Sequence, residues 1–272
     1  MTLSGLFLYP VKGCRGLPVA EAQVDALGLA GDRRFMIVDL AGKFLTQRSH
    51  PRMALINTAL TGSTLTLTAA GQDELVVARG SDSAAPLRMV EVWGSTGLQA
   101  EDCGERAAAW VSDAIGSPAR LVRAGTAFQR FVKPAKARPG DVVSFADAFP
   151  FLIVSEASLA DLNGRLSARG ENPVPMNRFR PNLVINDCPA FAEDTWPRLR
   201  IGAVTFRAGG HCARCVVTTT DQESAERGKE PLRTLASYRR DPASPGDVIF
   251  GQNLIHETKT GTLRVGDAVM PV

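Results

Sequence analysis

The chain has 272 residues, 44 % of them hydrophobic and 22 % charged, which excludes a disordered, collagen-like or coiled-coil protein and leaves ample material for a hydrophobic core. A net charge of +3 is too small to argue for nucleic acid. Five cysteines, an odd number in a chain this long, argue against a disulfide framework, and no run of 18 apolar residues suggests a membrane span.

Short strand-like segments dominate, separated by Gly and Pro. Leu6-Phe7-Leu8-Tyr9 is apolar and stops at Pro10. Arg34 to Leu40 reads as a buried strand ended by Ala41-Gly42. Thr64 to Thr68 alternates with period two, as a half-exposed strand should, and Leu75 to Val77 and Met89 to Trp93 read the same way. Glu105 to Ile115 places Ala107, Trp110, Val111 and Ile115 on one helical stripe and stops at Gly116. Ser155 to Leu166 opens with N-cap chemistry and buries Leu159, Leu162 and Leu166. Val184-Ile185, Val204 to Phe206, Cys215 to Thr219 and Thr262 to Val265 are further strands. Ala135 to Gly140 reads as a loop. Pro231 to Tyr238 begins with Pro at a first helical position. Many short strands with few helices define a β-rich α+β chain rather than a Rossmann alternation. Gly94-Ser95-Thr96-Gly97 marks the expected domain seam, giving residues 1–95 and 96–272.

The sharpest chemical feature is His211-Cys212-Ala213-Arg214-Cys215. Structural zinc needs four N or S ligands, and only one Cys pair is present. A thioredoxin-like dithiol needs a Cys at a helix N-terminus, whereas the residues after Cys215 read as a strand. A single thiolate could instead hold a soft transition metal, with Arg214 beside it for anionic groups. Spacing alone leaves these open beside ordinary buried thiols.

The basic side is lopsided, with 25 Arg among 31 cationic residues. Codon bias and surface charge account for most of them. Three clusters stand out, however: Lys12-Gly13-Cys14-Arg15-Gly16, Gly31-Asp32-Arg33-Arg34, and Asn177-Arg178-Phe179-Arg180-Pro181-Asn182. The first offers a Lys beside glycine-freed backbone N–H groups, suited to phosphate, without the spacing of a Walker A loop. Together they point to an anionic small molecule. Asp147, in Asp-Ala-Phe-Pro, reads by itself as a turn residue at a strand end. No Gly-x-Ser-x-Gly is present, which disfavours an α/β-hydrolase.

Six segments then occur in order: Tyr9-Pro10-Val11-Lys12-Gly13-Cys14, Pro150 to Leu159, Phe179-Arg180-Pro181-Asn182, Cys212 to Cys215 with Thr218-Thr219, Lys229-Glu230-Pro231-Leu232, and Phe250-Gly251-Gln252. In this order they resemble the MOSC proteins, named for the C-terminal type of domain in molybdenum cofactor sulfurase. Within these the resemblance is to the amidoxime-reducing components, mitochondrial and bacterial. It runs from about Leu6 to Val265.

The resemblance implies a MOSC β-barrel with a few peripheral helices, preceded by a smaller β-rich N-terminal domain. It implies a molybdenum cofactor (Mo-molybdopterin), and no pyridoxal phosphate. Cys215 matches the family's metal ligand. Lys12 and Arg34 match the phosphate contacts, Gly13 stands where relatives often carry Ser, Arg180 and Asn182 match pterin-side contacts, and Arg214 lies beside the ligand. Asp147 matches an acid at the mouth of the site, where it would relay a proton or orient substrate. The implied activity is reduction of N-hydroxylated compounds: amidoximes, hydroxylamines and N-hydroxylated bases. A cofactor or sulfur carrier without reductase turnover is the alternative. No appended iron–sulfur motif follows the last strand, so electrons are expected from a separate ferredoxin-, flavodoxin- or cytochrome b5-like protein with its reductase. Neither a nucleic acid nor a membrane partner is expected. No signal peptide or membrane anchor is expected at the N-terminus, and a cytoplasmic location follows from the unpaired cysteines.

Overall fold

The computed structural model describes residues 1–132 and 137–272. The expected loop at 135–140 therefore lies partly outside the described residues; 137–140 is a coil ending in a turn. The fold is strand-rich, as the punctuation predicts. Its largest sheet runs, in spatial order, Val269–Pro271, Arg198–Ile201, Val204–Arg214, Ser244–His256, Phe151–Ser155, Leu183–Asn186, Thr2–Leu8 and Leu17–Pro18. Only the Phe151–Ser155/Leu183–Asn186 pairing is parallel in it. The N-terminal strand thus lies against a strand more than 170 residues away, with Leu6 opposite Leu183.

A second sheet runs Leu87–Val92, Ser95–Asp102, Arg120–Arg123, Phe35–Val38 and Val11–Lys12. The seam expected at residue 95 falls inside its first hairpin, where Val92 faces Ser95. Two three-stranded sheets complete the fold: Gly261–Arg264 with Glu21–Asp25 and Gly28–Leu29, and Asn57–Thr61 with Thr64–Thr68 and Leu75–Ala78.

Among the described residues three α-helices pack on these sheets. Helix α1, Glu105–Ile115, buries Ala107, Val111 and Ile115 as its stripe predicts, and Gly116 closes it in the left-handed conformation. Trp110 is half-buried instead, its indole donating to the Asp73 carbonyl at 2.6 Å. Helix α2, Glu156–Ala168, is capped by Ser155, which accepts from the Ser158 N–H at 3.0 Å. It packs Leu162 and Leu166 against Phe179 and Phe250. Helix α3, Leu232–Leu235, is a single turn within the longer helix expected from Pro231.

One expected element forms differently. Val216–Thr219 is a short 3-10 helix, not a strand. The Thr218 hydroxyl donates to the Cys215 carbonyl at 3.0 Å and the Thr219 hydroxyl to the Val216 carbonyl at 2.8 Å. Local hydroxyl-to-backbone bonds of this kind compete with sheet pairing, and here they override β-branched propensity.

Asn182 ties the sheets together. It is 1 % exposed. Its Nδ2 donates to the Phe7 carbonyl at 3.2 Å, and its Oδ1 accepts from the Leu152 N–H at 3.3 Å and from Arg33 Nη1 at 3.0 Å. Asn182→Ala strands these buried groups together, and each stranded group costs about 1–3 kcal/mol. The expected loss is about 3 kcal/mol, read as a lower midpoint in urea unfolding; an unchanged midpoint would refute the clamp.

Candidate active site

Pro10 cannot continue a ladder, and the chain turns there. Before the turn, Tyr9 N–H donates to Asp32 Oδ1 at 2.8 Å, and the Tyr9 carbonyl accepts from Arg33 N–H at 2.8 Å. After it, Val11–Lys12 runs parallel to Phe35–Met36. Gly13 adopts a φ of 84°, where a side chain would be strained, and its carbonyl accepts from Gln47 Nε2 at 2.8 Å. Gln47 and Gln222 exchange amide hydrogen bonds at 3.0 Å each way. This pins the loop after Lys12 to the segment that follows the Cys215 turn.

Lys12, 5 % exposed, forms an ion pair with Asp147. Trp93 Nε1 donates to the same carboxylate oxygen at 3.1 Å. The Asp147 side chain is 72 % exposed because it faces an open cavity, although protein surrounds it elsewhere. Removal from bulk water pushes its pKa up, but Lys12, Trp93 and Arg33 outweigh this and hold it well below the carboxylate range. Burial draws the Lys12 pKa down, with Asp147 opposing. Trp93 occupies the two-residue turn between Val92 and Ser95 at φ 55°. For a Trp, that left-handed conformation costs about 1–3 kcal/mol. The strain is tolerated where the indole meets the carboxylate.

The arginines divide by what they touch. Arg33 donates to Asp32 at 2.7 Å, to Asn182 at 3.0 Å and to the Arg180 carbonyl at 3.3 Å. Its guanidinium and that of Arg180 both stand 4.3 Å from the centre of the Tyr9 ring. Burial pushes the Tyr9 pKa up to about 12 against the pull of these two cations, so the phenol stays neutral and donates to the Pro181 carbonyl at 3.1 Å. Arg180 itself makes no hydrogen bond or ion pair through its guanidinium among the described residues. Arg34, the expected phosphate contact, turns away to Asp25 at 2.6 Å and the Leu29 carbonyl at 3.3 Å. The cavity is lined by Arg33 instead. Arg33 sits in a turn at φ 45°, just before the Phe35–Val38 strand, so its direction is set by that turn and not by alternation along a strand.

The strand Val204–Arg214 slips register between Ala208 and Gly210 and again between His211 and Ala213. Such bulges bend a strand and re-aim its side chains. Cys212, Arg214 and Cys215 consequently line the cavity together. Arg214 donates to the Cys212 sulfur at 2.8 Å and to the Phe179 carbonyl at 2.6 Å. Burial raises the Cys212 pKa, with Arg214 opposing. Cys14 is fully buried, its pKa pushed up to about 12 by desolvation, and is inert by environment.

The cavity encloses about 940 Å³, its solvent-facing part included, and holds Lys12, Gly13, Arg33, Arg180, Asn182, Asp147, Arg214 and Cys215 together. Of the expected site residues only Arg34 lies elsewhere. Asn182 is present, but its Oδ1 is already occupied by protein donors. Sequence reasoning missed Arg33, Trp93 and Arg48, which stacks 4.4 Å over the Trp93 ring. Arg33 was within the flagged cluster; nothing in the pattern marked Trp93 except the Gly94 beside it. Among the described residues no three His, Cys, Asp or Glu side chains converge as a metal cage, which removes the zinc reading. Of the two cavity thiols Cys212 is engaged by Arg214, and Cys215, with its cationic surround, suits a metal whose other ligands arrive on an anionic cofactor.

Two family models cover the chain: the MOSC N-terminal beta barrel domain over residues 1–118 and the MOSC domain over residues 121–270. The chain belongs to the MOSC family. It is 39 % identical to mitochondrial amidoxime-reducing component 1 of Homo sapiens, covering 98 % of this chain and 82 % of that protein. With mitochondrial amidoxime reducing component 2 of Bos taurus it shares 38 %, over 98 % and 82 %. Molybdenum cofactor sulfurase of Danio rerio is 34 % identical over 99 % of this chain but 34 % of its own length. The cytoplasmic location expected from the sequence is corrected by the two amidoxime-reducing relatives, which are named as mitochondrial. Unpaired cysteines report a reducing compartment and carry no address within the cell. Among the described residues no helix is long and apolar enough to cross a membrane.

The Lys12–Asp147 pair has a defined pH signature. Because the folded-state pKa of Asp147 lies below the ordinary value of about 3.9, the pair stabilises the fold above that pH and loses the contribution as pH falls through the lower, folded value. Lys12→Met leaves the carboxylate without its cation, so its pKa rises by about 1–3 pH units. Carboxyl-carbon NMR titration reads this directly, and an unmoved Asp147 resonance would refute the pairing.

Proposed function

We propose that this protein is a molybdenum-cofactor-dependent oxidoreductase that reduces N-hydroxylated compounds such as amidoximes, hydroxylamines and N-hydroxylated bases. The observation that carries the reading is a single cavity joining one ligand-competent thiol, Cys215, to the cations Lys12, Arg33, Arg180 and Arg214 and to a fixed carboxylate, Asp147. The names of the amidoxime-reducing relatives support it. The overall change is removal of the hydroxyl: R–N–OH takes two electrons and two protons, the N–O bond breaks, and an N–H compound and water leave. The electrons come from a separate redox protein of the ferredoxin, flavodoxin or cytochrome b5 kind.

When bound, the cofactor supplies the electron pair that N–O reduction requires. Cys215 would provide the protein's ligand to the metal. Arg180, whose guanidinium donors are free among the described residues, would take the cofactor's anionic groups together with Arg33, Arg214 and the backbone at Gly13. With Gly in place of a hydroxyl residue, position 13 offers only backbone there. Asp147 is too acidic to be a good proton donor at neutral pH; it accepts the substrate's N–H and orients it. Lys12, with its pKa lowered by burial, is the better donor of the pair. The cleft is open on the side where Asp147 meets solvent, which gives substrate and protons a path.

Cys215→Ala is expected to abolish metal content and reductase turnover while the unfolding midpoint stays unchanged. Arg180→Ala is expected to weaken cofactor retention by about 1.5–3 kcal/mol, roughly a 10- to 150-fold loss. Elemental analysis of protein from a cofactor-competent host, with one amidoxime reduction assay, checks both. Full molybdenum and turnover in Cys215→Ala would overturn the ligand assignment. The zebrafish relative's name favours a second reading, a sulfur or cofactor carrier. A metal-free protein whose Cys215 is heavier by one sulfur in intact mass would establish that instead.

A further inference from the structure

Arg130 lies under the cavity wall, 3 % exposed. Its backbone belongs to a short pairing in which the Val143 N–H donates to the Arg130 carbonyl at 2.9 Å. Its guanidinium makes no ion pair with a carboxylate among the described residues. All its acceptors are neutral: the carbonyls of Ser144 at 3.0 Å, Ala146 at 2.5 Å and Asp147 at 2.6 Å, and the Ser95 hydroxyl at 3.2 Å. The Asp147 carboxylate acts on it only through space, and a buried charge held this way is costly unless its hydrogen bonds offset the loss of water. Here they converge on one turn, the turn that ends in Asp147. Ser95, the fourth partner, begins the strand that follows Trp93. One side chain therefore holds the Asp147 carbonyl directly and reaches the Ser95 hydroxyl, two residues beyond the Trp93 that bonds the Asp147 carboxylate.

We propose that Arg130 is a positioning residue: it shapes the 144–147 turn and the start of the Ser95 strand so that the Asp147 carboxylate stays on Lys12 and Trp93, keeping that carboxylate ionised toward the cavity. This rests on the reading of Asp147 as the substrate-orienting acid. Burial draws the Arg130 pKa down only to about 10, so it remains charged at neutral pH. The charged and titratable groups facing Asp147 are Lys12, Arg33, Arg130, Arg180 and Cys212. Of these, only Lys12 bonds the carboxylate, and only Arg130 holds its backbone.

The chain has three tryptophans, so an indole 15N–1H spectrum of the whole 272-residue chain has three side-chain peaks. The Trp93 indole donates to Asp147 and reports its ionisation. Trp110 and Trp196 report the rest of the fold. Arg130→Lys keeps the charge but cannot reach three carbonyls and a hydroxyl at once; Arg130→Met removes the charge as well. In both, the Trp93 peak is expected to move and the pH midpoint of its titration to rise by about one pH unit or more, while Trp110 and Trp196 stay in place. Should Arg130→Met not fold, Arg130→Lys decides. Native Trp93 behaviour in a folded variant would overturn the proposal, and so would a shift of all three peaks together, which is the mark of a merely structural role. The readout needs no bound cofactor. If the Trp93 signature moves while the pH profile of turnover does not, it is the role of Asp147 that fails, and the positioning stands.

Discussion

Lys12, Arg33, Arg130, Arg180 and Arg214 are brought to one cavity and its wall, and the repulsion among them is the constraint around which the site is built. Two unit charges about 6 Å apart repel by about 3 kcal/mol at an effective dielectric of about 20. Each cation has a distinct offset. Arg33 has the buried Asp32 carboxylate. Lys12 has Asp147. Arg130 has a cage of carbonyls. Arg214 has the Cys212 sulfur and the Phe179 carbonyl. Among the described residues Arg180 has only the face of Tyr9. The protein's own groups thus leave the site incompletely neutralised, and an anion beside Arg180 would offset part of the remaining repulsion.

This arrangement depends on long-range topology. Tyr9 and Lys12 come from the first dozen residues, whereas Arg180, Arg214 and Cys215 come from the last hundred. They meet because Thr2–Leu8 is a strand of the large sheet and Asn182 bonds across it. Bulges in Val204–Arg214 then turn the cysteine-bearing end of that strand into the cavity. A site assembled from such distant segments exists only when both ends of the chain are folded together. Its stability is therefore that of the whole fold rather than of one half.

Much of this was legible in the residues. The strand-rich class, the α1 stripe with its Gly116 stop and the Ser155 cap follow from local rules that tertiary structure did not override. Ordered motifs marked Lys12, Arg180, Arg214 and Cys215, and the structure brings these four to one cavity. The errors have physical causes. Cys215 to Thr219 reads as a strand because β-branched residues favour sheets, and threonine hydroxyls bonding three residues back reverse that preference. Arg34 was chosen over Arg33 because sequence shows that a pair of arginines exists, not which one faces inward. Trp93 and Arg130 were invisible because their roles depend on non-local hydrogen bonds to Asp147, and spacing encodes none of them.

Saturation separates the structural arginines from those open to a ligand. Arg120 is spent on Asp102 and Glu105, Arg123 on Glu101, and Arg239 on Asp194. Such pairs hold loops and strands together and leave little for a ligand. Arg180 is the contrary case, a guanidinium lining the cavity with its donors free among the described residues and stacked on the Tyr9 ring. A high arginine count therefore says little about function by itself. What counts is where a guanidinium is held rigid without an acceptor, because there the hydrogen bonds to an anion form without prior rupture of others and without loss of side-chain freedom.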